Sequence, residues 1–395
     1  MEKFLYVVKK RGIVLILCLM GLVSYGQVIT GAERMDMYLP LLDGKRVAVC
    51  GNQTSMVGDV HLVDTLLTRG VKVVKLFCPE HGFRGNAEAG AHIASTTDPK
   101  TGLPIISLYG KNKKPLPEQL RDVDVILFDL QDVGCRFYTY ISTLHYVMEA
   151  AAESHHVKVV VLDRPNPNGY FVDGPVLDTN YRSFVGMHPV PVVYGMTIGE
   201  YAYMINGEGW LPRALHCDLA VVPLGRYTHQ ARYNLPVAPS PNLPNAESIF
   251  LYPSLCLFEG TNISVGRGTS LPFQIFGAPL LHAGTYRFTP KPIPGVSENP
   301  PHNGKECQGF YLKEYAMKNL DSTNRFDVQY LLTAYKFYGD KEHFFINSNF
   351  FDKLAGTNLL RKQIMSGVSE EVIRQSWQKP LEQFKIVREK YLLYE

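Results

Sequence analysis

Short apolar runs recur along the first part of the chain: Arg46-Val-Ala-Val-Cys50, Val71-Lys-Val-Val-Lys-Leu-Phe-Cys78, Pro104-Ile-Ile-Ser-Leu108, Asp124-Val-Ile-Leu-Phe-Asp129, Val157-Lys-Val-Val-Val-Leu162, Pro191-Val-Val-Tyr194 and Leu219 to Leu224. They are rich in β-branched residues and too uniformly apolar for strands with one wet face, so each predicts a strand covered on both sides. Helical patterns lie between them. His61 to Arg69 carries Leu62, Leu66 and Leu67 and stops at Gly70; Phe137 to Ser154 and Thr197 to Asn206 are two more, and Gly31 to Leu42 predicts a short helix leading in. This alternation predicts an α/β fold, a parallel sheet with helices on both faces.

The texture then changes. Arg226 to Phe276 holds Pro236, Pro239, Pro241, Pro244 and Pro253 and the Gly-rich run Phe258 to Thr269, which predicts a long structured loop capping the sheet rim. A second domain is expected after it, with strands at Tyr286 to Pro294 and Cys307 to Leu312 and helices at Asp327 to Tyr338, Glu370 to Trp377 and Leu381 to Leu393. The expected organisation is a signal segment over 1–26, a catalytic domain over 27–276 and a smaller domain over 277–395.

Polar clusters follow four of the strands: Asn52-Gln53, Glu80-His81, Asp129 to Asp132, and Asp163 to Asn168. They fall at the carboxyl ends, where open α/β sheets bind ligands. Pro79 has no N–H for the ladder and ends the second strand, and Gly82 and Gly85 allow a sharp turn around Glu80 and His81. Glu80 is therefore the leading candidate for the chemistry; a turn glutamate bridged to Arg84 is the alternative.

Composition narrows the class. A hydrophobic fraction of 46% and a charged fraction of 19% over 395 residues are those of a globular protein. Lys9, Lys10 and Arg11 precede an apolar run from Ile13 to Val23 and small residues at Ser24 and Gly26, the pattern of an export signal too short to span a bilayer. Residues 1–26 hold a net +3, equal to the formal charge of the whole chain, so the mature protein is near neutral and carries no nucleic-acid footprint. Six of the seven cysteines lie beyond that segment, with no Cys-x-x-Cys pair. Buried thiols are expected, with a Cys50–Cys78 bridge as the alternative.

The standard cofactor signatures are missing. The first strand–helix turn has only Gly51 of a dinucleotide fingerprint, and there is no Walker motif, nucleophile elbow or His-Glu-x-x-His. No cofactor or metal is expected. Carboxylate chemistry remains. Glycoside hydrolysis needs a protonated acid at the leaving oxygen and a second group supporting the sugar cation. Glu80, beside Pro79 and Phe83, suits the acid. Asp129, Asp132 and Glu259 are candidates for the second group. Their structural alternatives are a turn cap, a bridge to Arg136 and a pin for the Gly-rich loop. Arg136, Arg164 and Arg267 are candidate clamps for an anionic group, with an Arg164–Asp163 bridge as one alternative. Tyr138 and Tyr140 could stack on a sugar or belong to the core. Asn166 and Asn168 could bind hydroxyls or form a turn.

Gly51-Asn-Gln-Thr54, Pro79-Glu-His-Gly-Phe-Arg-Gly85, Asp129-Leu-Gln-Asp-Val-Gly-Cys-Arg-Phe-Tyr-Thr-Tyr140, Leu162-Asp-Arg-Pro-Asn-Pro-Asn-Gly169 and Phe258-Glu-Gly-Thr-Asn262 together resemble the exo-acting β-N-acetylmuramidases of the NamZ type. The likeness extends to Leu354-Ala-Gly-Thr-Asn358 and to Arg388 through Tyr394. It implies a Rossmann-like N-terminal domain, a smaller α+β C-terminal domain and an active site in the cleft between them. It also implies release of N-acetylmuramic acid from the non-reducing end of peptidoglycan fragments, with Glu80 as the catalytic residue. Asn52, Gln53, His81, Arg84, Asp129, Asp132, Arg136, Tyr138, Arg164, Asn166, Asn168, Glu259 and Arg267 are then expected to surround a muramic-acid saccharide. A non-catalytic binder of wall fragments on the same fold is the rival reading.

Overall fold

The computed structural model describes residues 27–79, 83–84, 96–320, 322, 324–346 and 348–395. The expected signal segment, Glu80 and His81 lie outside the described residues. Among the described residues the strands are, in chain order, β1 Val47–Gly51, β2 Met56–Val57, β3 Val60–His61, β4 Val73–Cys78, β5 Thr96–Thr97, β6 Pro104–Ser107, β7 Val125–Asp129, β8 Lys158–Leu162, β9 Leu219–Val222, β10 Ile275–Ala278, β11 Tyr286–Phe288 and β12 Cys307–Tyr311. Seven form one sheet in the order β5-β6-β4-β1-β7-β8-β9, parallel except at the β5 edge. The chain steps outward from β1 through β4 to β6, then returns to the other side of β1 as β7 and continues to β9. That reversal between β1 and β7 is the topological switch point of a Rossmann-like sheet.

Both faces of the sheet are covered, as the uninterrupted apolar runs predict. In β1, β7 and β8, Ala48, Cys50, Ile126, Phe128, Val159 and Val161 face the helices Tyr140–Ser154 and Ile198–Gly207. The alternate residues Val47, Val49, Val125, Leu127, Val160 and Leu162 face Tyr38 and Leu42 of Met35–Leu42 and Leu62 and Leu66 of Leu62–Thr68. The strand period of two thus divides one apolar run between two cores. The smaller C-terminal part is α+β: an antiparallel sheet β10-β12-β11 with helices that include Gln329–Phe337, Ser348–Ala355 and Glu370–Glu389. Its buried Phe258, Phe276, Phe326 and Trp377 belong to the same continuous core as Phe128 and Val161.

Three elements differ from the sequence reading. Pro191-Val-Val-Tyr194 is not a sheet strand: Val193 makes only isolated bridges to Cys135 and Asp173. Its residues are buried all the same, and burial is what an apolar run reports. The Pro-rich segment holds a helix, Ala246–Leu255, whose capping residue Asn245 accepts from the Ser248 N–H. Pro253 near its end cannot donate to the Ile249 carbonyl, and the Asn168 amide at 3.3 Å donates to it instead. The two C-terminal helices are one, Glu370–Glu389, running through Pro380. Ser376, whose carbonyl Pro380 leaves unpaired, is exposed and so open to water. The six cysteines from Cys50 to Cys307 are free and buried, so neighbouring β1 and β4 carry no Cys50–Cys78 bridge.

The last residues close onto the strand ends. Tyr394 Oη donates to Asp163 Oδ2 at 2.6 Å, and Asp163, directly after β8, also accepts from Thr197 Oγ1 and the Gly199 N–H. The Leu393 N–H and His229 Nε2 both meet Glu200 Oε1, at 2.8 and 3.0 Å. Burial pushes the Asp163 carboxyl up to about 7, against the hydrogen bond from Tyr394.

Candidate active site

Beyond the carboxyl ends of β6 and β7 lies a cavity of about 250 Å³. Tyr109, just past β6, and Phe137 to Tyr140, between β7 and the following helix, supply one wall; Ser240, Asn242, Leu243 and Tyr252 supply a second; Glu259, Arg267 and Phe273 supply a third. The aromatic rings meet edge to face: Tyr138 with Tyr140 at 4.9 Å, Phe137 with Tyr252 at 5.3 Å, and Tyr252 with Phe273 at 5.0 Å. Such contacts fix large apolar surfaces in place around the cavity.

The loop after β1 positions this wall. Asn52 is fully buried; its Nδ2 donates to Tyr140 Oη at 2.7 Å and its Oδ1 accepts from the Thr54 N–H and hydroxyl. Ser55 Oγ donates to the Asp129 carbonyl at 2.6 Å, joining the loops after β1 and β7 across the switch point. A Cβ on Gly51 would lie 2.5 Å from Ser55 Oγ, so this close approach requires glycine. Tyr138 Oη donates to the Pro239 carbonyl at 2.8 Å, and Gln53 Nε2 reaches the Ala238 and Pro239 carbonyls at 3.3 Å. The Pro-rich segment is thereby fastened over the rim, as its composition predicts.

Of the expected site residues, Tyr138, Glu259 and Arg267 line the cavity, and Asn52 and Gln53 hold its walls. Glu259 and Arg267 face each other, with Arg267 Nε and Nη2 both on Glu259 Oε1 at 2.7 and 2.6 Å. Burial opposes the Arg267 charge and Glu259 outweighs it, so the guanidinium pKa is raised. Glu259 thus pins its own loop, the structural alternative, while standing on the cavity wall.

The other expected site residues among those described are held by protein partners. Arg136 is fully buried, and its guanidinium donates to the Pro175, Val190 and Leu354 carbonyls at 2.7–2.9 Å. Burial pulls its pKa down to about 9. It meets neither Asp132 nor an open surface; it anchors the turn at Gly356, where a Cβ would come within 2.7 Å of Nη2. Arg164 pairs with Asp129 through two bonds of 2.5 and 2.8 Å, with side chains 5% and 0% exposed. Its side-chain partner is Asp129 and not Asp163, whose Oδ1 accepts the backbone N–H groups of Arg164 and Gly199. Asp132 Oδ1 accepts from Tyr194 Oη and the Gly134 N–H, and burial raises its carboxyl to about 7. Asn166 donates to the Met196 carbonyl and accepts from the Asn168 N–H, while Asn168 donates to the Val133 and Ile249 carbonyls. Both are turn formers. Arg84 is bidentate to Asp98 at 2.8 Å.

Ser240, Asn242, Tyr252 and Phe273 also line the cavity and are absent from the sequence-based set. All four fall within the segment read as a cap over the rim, which was the available signal.

The comparisons with known proteins agree with this architecture. The model for the N-terminal region of the exo-β-N-acetylmuramidase NamZ matches residues 47–247, and the model for its C-terminal region matches residues 250–394. The cavity takes walls from both. The chain is 41% identical over 388 residues to the peptidoglycan β-N-acetylmuramidase NamZ of Bacillus subtilis, covering 93% of this chain and 92% of the relative. Two crystal structures of DUF1343 family proteins from Bacteroides fragilis superpose with TM-scores of 0.85 and 0.74, at 47% and 32% identity, covering 94% and 93% of this chain and 99% of each of theirs. With both regions matched over nearly the whole described length, this chain belongs to the NamZ family of exo-β-N-acetylmuramidases, which are glycosidases.

Proposed function

We propose that this protein is an exported glycosidase that removes N-acetylmuramic acid from the non-reducing end of peptidoglycan fragments, with Glu80 as general acid. The observation that carries the reading is the cavity. Aromatic walls suit a pyranose, and Arg267, held by Glu259 through Nε and Nη2, has Nη1 left to meet the lactyl carboxylate that distinguishes muramic acid from other amino sugars. β4, the strand leading into Pro79 and Glu80, lies beside β6 and parallel to it, so both strands end on the cavity side.

Glu80 gives its proton to the departing glycosidic oxygen as the bond to the anomeric carbon breaks. The positive charge developing on the ring needs a partner. Asp129 is held by Arg164, Asp132 is buried beneath Tyr194, and Glu259 is held by Arg267. That leaves the sugar's own 2-acetamido carbonyl oxygen to attack the anomeric carbon, with water later opening the resulting ring.

Hydrolysis of a chromogenic β-N-acetylmuramide, followed by proton NMR, tests the reading. Free N-acetylmuramic acid is expected to appear first as the β-anomer. Affinity without product would identify the rival, a wall-fragment binder, and initial α-anomer would remove the acetamido route. In the same assay Arg267→Ala is expected to cost the muramide about 10–100-fold in kcat/KM, the scale of one charge-assisted hydrogen bond. The corresponding N-acetylglucosaminide should lose far less. An equal loss on both would move the carboxylate clamp away from Arg267.

A further inference from the structure

Asn242 lines the cavity, is 1% exposed, and makes its polar contacts asymmetrically. Its Nδ2 donates to the Val296 carbonyl at 3.0 Å. A carbonyl accepts only, so this contact fixes which end of the amide is nitrogen. Its backbone N–H reaches Ser240 Oγ at 3.2 Å, tying the turn that presents it. The remaining atom, Oδ1, is buried without a hydrogen-bond partner. Among the described residues lining the cavity, no other side-chain oxygen is in that condition. A buried acceptor left unpaired is costly, and a ligand's donor would recover that cost.

We propose that Asn242 Oδ1 accepts the N–H of the 2-acetamido group of the bound sugar and so selects for N-acetylated substrates. The proposal rests on the glycosidase reading above and names a contact that reading does not contain. Two features favour an amide over a sugar hydroxyl. A hydroxyl brings lone pairs as well as a proton, and Leu243, Tyr252 and Phe273 on the same cavity offer apolar surface for much of their area. An acetamide presents one N–H beside a methyl group, which matches an unpartnered acceptor on a cavity with apolar walls. The contact has a chemical consequence too. Drawing on the N–H moves electron density toward the acetamido oxygen, the atom placed to attack the anomeric carbon.

Calorimetric binding of N-acetylmuramic acid to the intact protein tests this without relying on turnover. The comparison ligand is the 2-acetoxy analogue, in which an ester oxygen replaces the N–H. The parent protein is expected to prefer the acetamido sugar by about tenfold, one buried hydrogen bond. Asn242→Ala should reduce that preference to less than about twofold, while the penalties for 4-deoxy and 6-deoxy analogues stay unchanged. Asn242→Leu, close to asparagine in volume and without an acceptor, should likewise abolish the preference, and it serves if the alanine variant does not fold. A parent protein indifferent to the ester, or a preference that survives Asn242→Ala, overturns the assignment. A deoxy penalty that disappears with Asn242→Ala also overturns it and assigns the acceptor to a hydroxyl. No affinity for N-acetylmuramic acid overturns this proposal together with the functional reading; affinity without the acetamido preference overturns the Asn242 contact alone.

Discussion

Glu80→Gln is expected to lower turnover of a muramic-acid disaccharide by about 10²–10⁴-fold, the range attributable to a positioned general acid. The amide keeps the shape and hydrogen-bonding capacity of the carboxyl but has no proton to give. A second measurement separates this role from a merely structural one. A 4-nitrophenyl leaving group departs as a stable anion and needs little protonation, so the same variant should lose much less on the nitrophenyl muramide than on the disaccharide. The thermal transition should be that of the parent. Wild-type rates on the disaccharide would remove Glu80 from the reaction. Equal losses on both substrates would leave it in the site but assign the proton to another group.

The second large effect is on stability. Asp129→Ala is expected to destabilise the protein by about 3–5 kcal/mol, because it leaves the Arg164 guanidinium, 5% exposed, without its counter-charge. Asp129 ends β7 and Arg164 follows β8, so the pair ties adjacent strand ends together beneath the cavity rim. Urea unfolding reads the loss directly. The double replacement Asp129→Leu with Arg164→Met should recover most of it, since two apolar side chains of similar volume leave no buried charge behind. A single variant within about 1 kcal/mol of the parent would show that water reaches the guanidinium and that the pair is not the fastening described.

The sheet was legible because burial on both faces imposes an unusual sequence, an apolar run without alternation, and β1, β4, β7 and β8 all carry it. The same signal misplaced Pro191–Tyr194, since a buried loop segment needs apolar residues as much as a strand does. Proline was over-read twice. Pro253 and Pro380 each remove one helical hydrogen bond, and in each case another partner is at hand, the Asn168 amide for one carbonyl and solvent for the other. Of the candidate site, Tyr138, Glu259 and Arg267 were legible as residues that stand on the cavity. The clusters after the strands misled in a consistent way. Arg136, Arg164, Asn166 and Asn168 have the chemistry of ligand contacts, but that chemistry serves equally to satisfy carbonyls and carboxylates of tightly turned loops. Which use applies depends on burial, and composition does not report the burial of a loop. Asn242 was illegible for a related reason. Its significance is an atom without a partner, and that follows from Val296, 54 residues away, taking only the other end of the amide.

The bond from Tyr394 to Asp163 spans 231 positions of chain. Asp163 and Glu200 are both fully buried, and residues 393 and 394 supply two of their donors. A fragment ending near residue 247 would deprive Asp163 and Glu200 of two of their donors and uncover the core face that Phe258 and Phe276 close. The two halves that family models treat as separable are therefore one cooperative unit, and calorimetry should record a single shared melting event. Completion of the N-terminal fold is therefore expected to await the docking of residues 393 and 394.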